Sequence, residues 1–508
     1  MNQESIEQWD MFEIRIDGPD SGNPFLEIQF KTVFTCEEIS IEIIGFYDGN
    51  GVYKARFMPT KVGMWHYYTH SNNADLDKIT GKFLCVEPSA DNHGPVNVHN
   101  LYHFSYADGT PYYPFGTTCY AWTHQDNTLE EMTLRTLSQK PFNKIRMCVF
   151  PKYYPFNHNE PIYYPFLTTE DGKNDYTRFN PLFFQHFEER IKQLGKLGIE
   201  AEIIIWHPYD HWGYSQMDEE SDYRYLRYLI ARCAAFRNIW WSLANEYDFL
   251  LNVKPIERWA QFFKILKEED VFQHLRSIHN GDPNMNYDHS KEEVTHVCIQ
   301  NWDVKHIKEW RNTYKKPIIN DELEYEGDIP FFWGNISTQE AIHRLWIMVV
   351  NGGYAGHGET YMHPKDILWW SKGGVLHGHS WKGFGFLREI IEAAPMSGLT
   401  PIADEITNGI FPPELTQWYW TRISGGMSAG YYLIYLGEHQ MHTLPVWLDT
   451  VDYSIDIIDT QEMTISKGKL VPYDDTVMGI NPFIENLKPT LQINIPAKPF
   501  LAIQIKKK

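Results

Sequence analysis

Apolar and polar residues alternate with a period of two through the first 90 or so positions, in the short runs 12–16, 25–34, 39–46, 51–57, 64–70 and 81–86. Turn-forming stretches such as Asp48-Gly49-Asn50-Gly51 and 59–63 separate them, which predicts hairpins and an Ig-like β-sandwich over 1–90. Residues 88–100 are polar and rich in turn formers and read as a linker. From about 101 the pattern changes, and apolar strand-like runs alternate with helical periodicity. Eight strands are predicted, at 112–117, 143–149, 200–206, 239–243, 276–279, 296–300, 317–320 and 353–357. Asn180-Pro181 has the form of an N-cap followed by N1, and Phe183, Phe184, Phe187, Ile191 and Leu194 then fall on one helical face. Ser337 and Glu340 have capping-box spacing ahead of Ile342, Leu345, Trp346 and Val349. Such repeated units over 91–398 predict a (β/α)8 TIM barrel, with chemistry at the C-terminal ends of its strands. A doubly wound sheet is the alternative, but Gly116-Thr117-Thr118-Cys119 is not the glycine-rich phosphate loop it would carry. Period-two patterning returns at 418–424, 431–436, 453–458 and 491–495, so 399–508 is expected to form a second, smaller β-sandwich.

Composition narrows the function. The net charge of −21 repels phosphate backbones and anionic lipid, so no nucleic-acid or membrane partner is expected. Aromatic residues make up 15% of the chain, and flat rings suit ligands with one apolar face, sugars among them. The six cysteines are scattered without a C-x-x-C pair and read as buried thiols. A start without basic and apolar leader segments gives the expectation of a cytoplasmic protein, and its oligomeric state is left open, a homo-oligomer included. Neither His357-Gly358-Glu359 nor His377-Gly378-His379 has metalloprotease spacing, and there is no Gly-x-Ser-x-Gly elbow. Neither a catalytic metal nor a cofactor is expected.

Two segments carry candidate chemistry. The predicted fourth strand ends in Asn245-Glu246, which sets an amide and a carboxyl at the active face, where the acid can protonate a leaving oxygen. The predicted seventh strand runs into Asp321, Glu322, Glu324 and Glu326. A carboxylate there would face Glu246 across the barrel mouth, as two-carboxylate glycoside hydrolysis requires. Glu322 ranks first as nucleophile, Glu326 second and Asp321 third. Arg146, in the middle of the second strand, would keep a nearby carboxylate ionised or else form a structural ion pair. By position after their strands, Trp122, His124, Trp206, His207, Tyr209, Trp302, His357, Glu359 and Tyr361 are candidates for stacking on or hydrogen bonding to sugar, with core packing as the competing reading of each.

The segments around Asn245-Glu246, 317–327 and 112–122 resemble the apiosidase-like branch of clan A glycoside hydrolases. The run Asp48-Gly49-Asn50-Gly51-Val52-Tyr53-Lys54-Ala55-Arg56-Phe57-Met58-Pro59 is similar to a motif in the sandwich that often precedes such barrels, so the resemblance spans nearly the whole chain. It implies Glu246 as acid/base, Asn245 as a ligand of the hydroxyl beside the reacting carbon, and Glu322 as nucleophile. Apiosidase relatives use Asp as the acid, so Glu246 departs from them and apiose is not implied as the substrate. The expected activity is retaining, exo-acting hydrolysis of plant- or microbe-derived oligosaccharides or glycosides, with Glu246 raised in pKa and Glu322 ordinary or lowered. A carbohydrate-binding barrel without turnover and a structural assembly protein are the alternatives from other classes.

Overall fold

The computed structural model describes residues 5–362, 368–395, 398–402, 410, 424–428, 430–448, 450, 452–474 and 489–508. Eight parallel strands form its centre: Gly116–Thr118, Lys144–Cys148, Glu200–Trp206, Ile239–Ala244, Arg276–Ser277, Val297–Gln300, Ile318–Glu322 and Tyr354–His357, here barrel strands one to eight. Strand one pairs with two and eight, and the sheet runs on through three, four and five on one side and seven and six on the other. Strands three and four are buried along their whole length, because helices cover one face and the barrel core fills the other.

Strands five and six do not pair through a backbone ladder; one main-chain bond, from the Thr295 N–H to the Arg276 carbonyl at 3.0 Å, and side chains bridge the seam between them. Asn280 donates to the Gln300 carbonyl at 3.0 Å and accepts from the Gln300 N–H at 3.1 Å, so one amide side chain takes the place of a strand residue. Residues 278–296, between these strands, contain no helix. Elsewhere helices follow their strands: Asn127–Leu137, Pro181–Lys196, Glu219–Cys233, Ile256–Glu269, Ile307–Tyr314, Thr338–Val350 and Ser380–Glu392. Asn180 and Ser337 cap theirs as their positions predict, accepting from the N–H groups of Leu182 and Glu340. The Glu340 side chain does not close a capping box; it pairs with Arg344 at 2.7 Å.

Two N-terminal expectations are corrected. Pro24 opens a one-turn helix, Pro24–Glu27, so the strand expected over 25–34 begins only at Phe30. Tyr112 belongs to a three-stranded antiparallel sheet formed by Val96–His99, His103–Tyr106 and Pro111–Tyr112, which takes in part of the expected linker. Phe104 of this sheet packs on Trp240, His296 and Tyr354, at the starts of strands four, six and eight, and so plugs the N-terminal end of the barrel.

The N-terminal β-sandwich packs a five-stranded sheet against a three-stranded one. Alternate residues of Phe12–Asp17 turn inward, and the Phe12 ring stacks on Phe83 at 4.0 Å. Its Asp48 to Pro59 motif is where the sandwich locks onto the barrel. Arg56 pairs with Glu188 at 2.9 Å and donates to the Arg232 carbonyl, while Arg232 pairs with Asp48 at 2.7 Å and with Glu188. The four charges are buried and balance, which is the condition under which burying them is tolerable. At the other end a six-stranded antiparallel sheet and a three-stranded sheet enclose a separate apolar core. It docks on Thr338–Val350, where Trp346 stacks on Tyr435. Of the expected strand 418–424, all but residue 424 lies outside the described residues. The six cysteines are free and buried. Among the described residues no helix is long and apolar enough to cross a membrane.

Candidate active site

The inner face of the second strand presents Lys144 and Arg146, spaced by the two-residue pleat, and Glu202 on the third strand lies in register with Arg146. Asp321 on strand seven and Cys298 on strand six complete a buried polar layer. Lys144 pairs with Asp321 at 3.1 Å and with Glu202, and Arg146 lies 3.3 Å from Glu202. Glu202, Cys298 and Asp321 are close enough together to hold a metal ion. The Lys144 ammonium, bonded to both carboxylates, already supplies the positive charge such an ion would bring.

Strict alternation would send only one of Asp321 and Glu322 inward. The pairing of strands six and seven shifts register here, from Ile299 opposite Asn320 to Gln300 opposite Glu322. This irregularity lets both acids reach the barrel interior, Asp321 in the polar layer and Glu322 above it at the mouth. Arg146 Nη1 lies 3.7 Å from Glu322 Oε1, and the buried His279 lies 3.9 Å from the same oxygen. The Tyr120 hydroxyl bridges Glu322 and the Asn245 side chain, the latter at 2.7 Å, and also receives Arg146 Nη1 at 3.4 Å. A tyrosine has one proton, so at any moment the Tyr120 hydroxyl donates either to Glu322 or to the Asn245 side-chain oxygen.

Glu246 ends the fourth strand in a left-handed conformation, with φ 56° and ψ 55°. That conformation is costly for a residue with a Cβ, on the order of 1–2 kcal/mol. It turns the chain sharply at the mouth and leaves the residue 8% exposed. Burial first, and then the charge of Glu322, push the Glu246 carboxyl up to about 7, against the opposing pull of Lys152 and the Tyr209 hydroxyl. Its Oε2 has no hydrogen-bond partner among the described residues. Burial also raises Glu322, contrary to the expectation of an ordinary or lowered value, but Arg146, Tyr120 and Lys152 all favour its charged form. The two carboxyls therefore sit in different electrostatic settings.

Both open into one recess of about 270 Å³, close to the lower end of small-ligand pockets at roughly 300–1,000 Å³. Aromatic rings form most of its wall, including Tyr120, Tyr154, Tyr209, Trp333 and Trp370. Lys152 is caged among them, its Nζ 3.6 Å from the Tyr120 ring centre and 4.4 Å from that of Tyr209. Trp302, 42% exposed, meets Phe332 edge to face at 5.2 Å on the rim.

Of the residues expected at the site, Glu246, Glu322, Asn245, Tyr209 and Trp302 line this recess, and Arg146 supports it from below. Others lie elsewhere. Trp122 is buried against Met147, and Trp206 stacks on Phe262 behind the wall. His124 and His207 turn to the carbonyls of Val149 and Phe150. His357 bonds Thr117 and packs on Phe142, and Glu359 accepts the backbone N–H groups of His377 and Gly378. Tyr361 reaches Glu326 at 3.3 Å.

Glu326, the second choice for nucleophile, is a helix cap. It accepts from the N–H groups of His379 and Ser380, at the start of Ser380–Glu392, and from Thr338. Despite burial, these bonds hold its carboxyl below the usual value. Glu326→Gln is expected to lower unfolding stability by about 1–3 kcal/mol, the range for charge-assisted bonds, and to leave kcat per folded molecule unchanged. Chemical denaturation and active-site titration of the same sample check both. Tyr120, two residues past strand one, was missed by the sequence reading, and the other missed recess residues lie further along the loops: Lys152, Tyr154 and Phe156 after strand two, Phe331 to Trp333 after strand seven, and Trp370 after strand eight. The aromatic density of Tyr153-Tyr154-Pro155-Phe156 and Phe331-Phe332-Trp333 was the available signal.

A parallel eight-stranded barrel that carries a carboxyl at the end of its fourth strand and another at the end of its seventh, in an aromatic recess, has a glycoside hydrolase-like fold. Residues 98–383 match the profile of the apiosidase-like catalytic domain, more than half of the chain, and the protein belongs to that family. Residues 5–72 and 420–506 match two domains of unknown function, DUF5060 and DUF5605. The chain is 35% identical to a protein of Bacteroides vulgatus ATCC 8482, provisionally named a glycoside hydrolase, with a TM-score of 0.87 and all of both chains covered. It shares its fold with a family 5 glycoside hydrolase of the same organism, at 14% identity and a TM-score of 0.59 over 82% of this chain and 94% of that one. Another structure named simply a glycoside hydrolase aligns at 13% identity and a TM-score of 0.60, over 82% of this chain and 97% of that one. No curated protein matches the sequence.

Proposed function

We propose that the protein is a retaining, exo-acting glycoside hydrolase of plant- or microbe-derived oligosaccharides or glycosides, with 91–398 as its catalytic unit between the sandwiches 1–90 and 399–508. The observation that carries this reading is the pair Glu246 and Glu322 in one recess, one carboxyl pushed up to about 7 and the other flanked by Arg146 and Tyr120. Glu322 attacks the anomeric carbon, forming a glycosyl ester as the bond to the leaving oxygen breaks and that oxygen takes the Glu246 proton. Glu246, now ionised, removes a proton from the water that displaces the ester and releases the sugar with its starting configuration. Asn245 hydrogen-bonds the hydroxyl next to the reacting carbon. A small recess with aromatic walls suits a terminal sugar ring rather than the middle of a chain.

Incubation with a panel of 2-fluoroglycosides, followed by peptide mass spectrometry, tests the assignment. The label is expected on Glu322, and proton NMR of early product should show the anomer of the substrate. A label on a different residue, or inverted product, would refute the double displacement.

A further inference from the structure

A second, open hollow of about 920 Å³ lies along the loops after strands two and three. The two are built from the same loops. Lys152, Tyr154, Pro155, Phe156 and Tyr209 face the recess, while Glu160, Tyr164, His211 and Trp212, further along the loops after strands two and three, line the hollow. Tyr153 touches a residue lining each: its N–H donates to the carbonyl of Tyr209, in the recess, at 2.9 Å, and its ring lies 3.9 Å from that of His211, in the hollow.

One carboxylate organises the aromatic lining. Glu160 Oε2 accepts from the Trp212 indole at 2.9 Å and from the Tyr164 hydroxyl at 2.8 Å, and its Oε1 lies 3.2 Å from His211 Nε2. The backbone behind these rings is pinned as well. Asn174 donates to the Trp212 carbonyl at 2.7 Å, and the Asp210 carboxylate receives the N–H groups of Trp212, Gly213 and Ser215. A surface loop that only needed to be soluble would not require three ring side chains fixed by a single acid, nor keep a tyrosine 37% exposed among them. Rings held in place while solvent-accessible lose little freedom when a ligand stacks on them, which is the condition for useful affinity from few contacts. The acid at the centre disfavours anionic ligands, and Lys173 on the wall is already paired with Asp171 at 2.7 Å.

We propose that this hollow binds the leaving-group side of the substrate, a neutral oligosaccharide chain that lies across Trp212 and Tyr164 while its terminal sugar occupies the recess. This rests on the glycosidase reading and extends it: the substrate is an extended neutral glycan, and a small glycoside uses only half of the site.

The test uses the full chain with Glu322→Gln, to stop turnover, and titrates it with cello-, xylo-, manno- and galacto-oligosaccharides followed by fluorine NMR of 5-fluorotryptophan-labelled protein. At least one series is expected to shift the Trp212 resonance, assigned from Trp212→Phe. Trp212→Ala combined with Tyr164→Ala should weaken that binding about ten- to a hundredfold. In the otherwise wild-type chain, the double variant should raise KM for the oligosaccharide and leave hydrolysis of a 4-nitrophenyl glycoside within about twofold. If the double variant does not fold, the Trp212 resonance still decides the matter. Oligosaccharides that leave that resonance unmoved, while the nitrophenyl glycoside is hydrolysed, overturn this proposal and leave the glycosidase reading standing. A Trp212 shift in a protein that hydrolyses no glycoside has the opposite meaning: the chain-binding surface stands and catalysis falls.

Discussion

Glu322→Gln is expected to reduce kcat/KM on aryl glycosides by at least about 10⁴-fold, equivalent to roughly 5.5 kcal/mol of lost transition-state stabilisation. The substitution keeps an oxygen for Tyr120 and Arg146 and changes little volume, so the recess should hold its shape. Gln cannot form the glycosyl ester, and it removes the negative charge that Arg146, 3.7 Å away, was positioned to favour. Thermal unfolding close to that of the wild type would show that the loss is chemical. Wild-type activity in the variant, or a loss no larger than tenfold, would sink Glu322 as nucleophile. The same measurement on Asp321→Asn has a different expected outcome, because Asp321 is bonded to Lys144 in the layer below the recess and its neutralisation should unbalance that layer and destabilise the fold.

Removing Glu246, the proposed acid/base, should have an effect that depends on the substrate. Glu246→Ala is predicted to lower kcat/KM by about 10²–10⁴-fold for glycosides whose leaving oxygen needs a proton. Far less should be lost in the first step for activated nitrophenyl glycosides, and azide should restore turnover by giving a glycosyl azide of retained configuration. The wild type should lose activity as pH rises through about 7, the value to which burial and Glu322 bring this carboxyl, and Glu246→Gln should lack that limb. A variant with an unchanged alkaline limb would exclude Glu246 as the titrating acid. Stability follows with a definite sign. The folded protein keeps the Glu246 proton up to about 7, whereas an unfolded chain releases it near 4.5, so this group's contribution is fully present below about 4.5 and is lost as pH rises to about 7. Glu246→Gln should therefore gain stability relative to the wild type between about pH 5 and pH 8, measured by urea denaturation across that range.

The longer strands were legible because apolar residues dominate them between turns, and strand three begins and ends where its sequence pattern does. Helices were legible from caps and periodicity, as at Asn180 and Ser337. Local patterns could not show which way each residue after a strand would turn. Trp122 and Trp302 follow their strands at similar distances, yet one is buried against Met147 and the other is half exposed at the rim. Nor could they reveal the aromatic loops that complete the recess, since a loop has no periodicity to read.

The sequence by itself determined the barrel, its flanking β-rich regions and the Asn245-Glu246 pair at a strand end, because burial pattern and turn chemistry are local properties of the chain. Tertiary structure alone decided where each of the acids after strand seven sits. Asp321 is held by Lys144, Glu326 caps a helix that begins more than fifty residues later, and a register shift in strand pairing brings Glu322 to the mouth beside Arg146. Those outcomes depend on partners far away in the chain, and on a pairing irregularity that no single segment encodes.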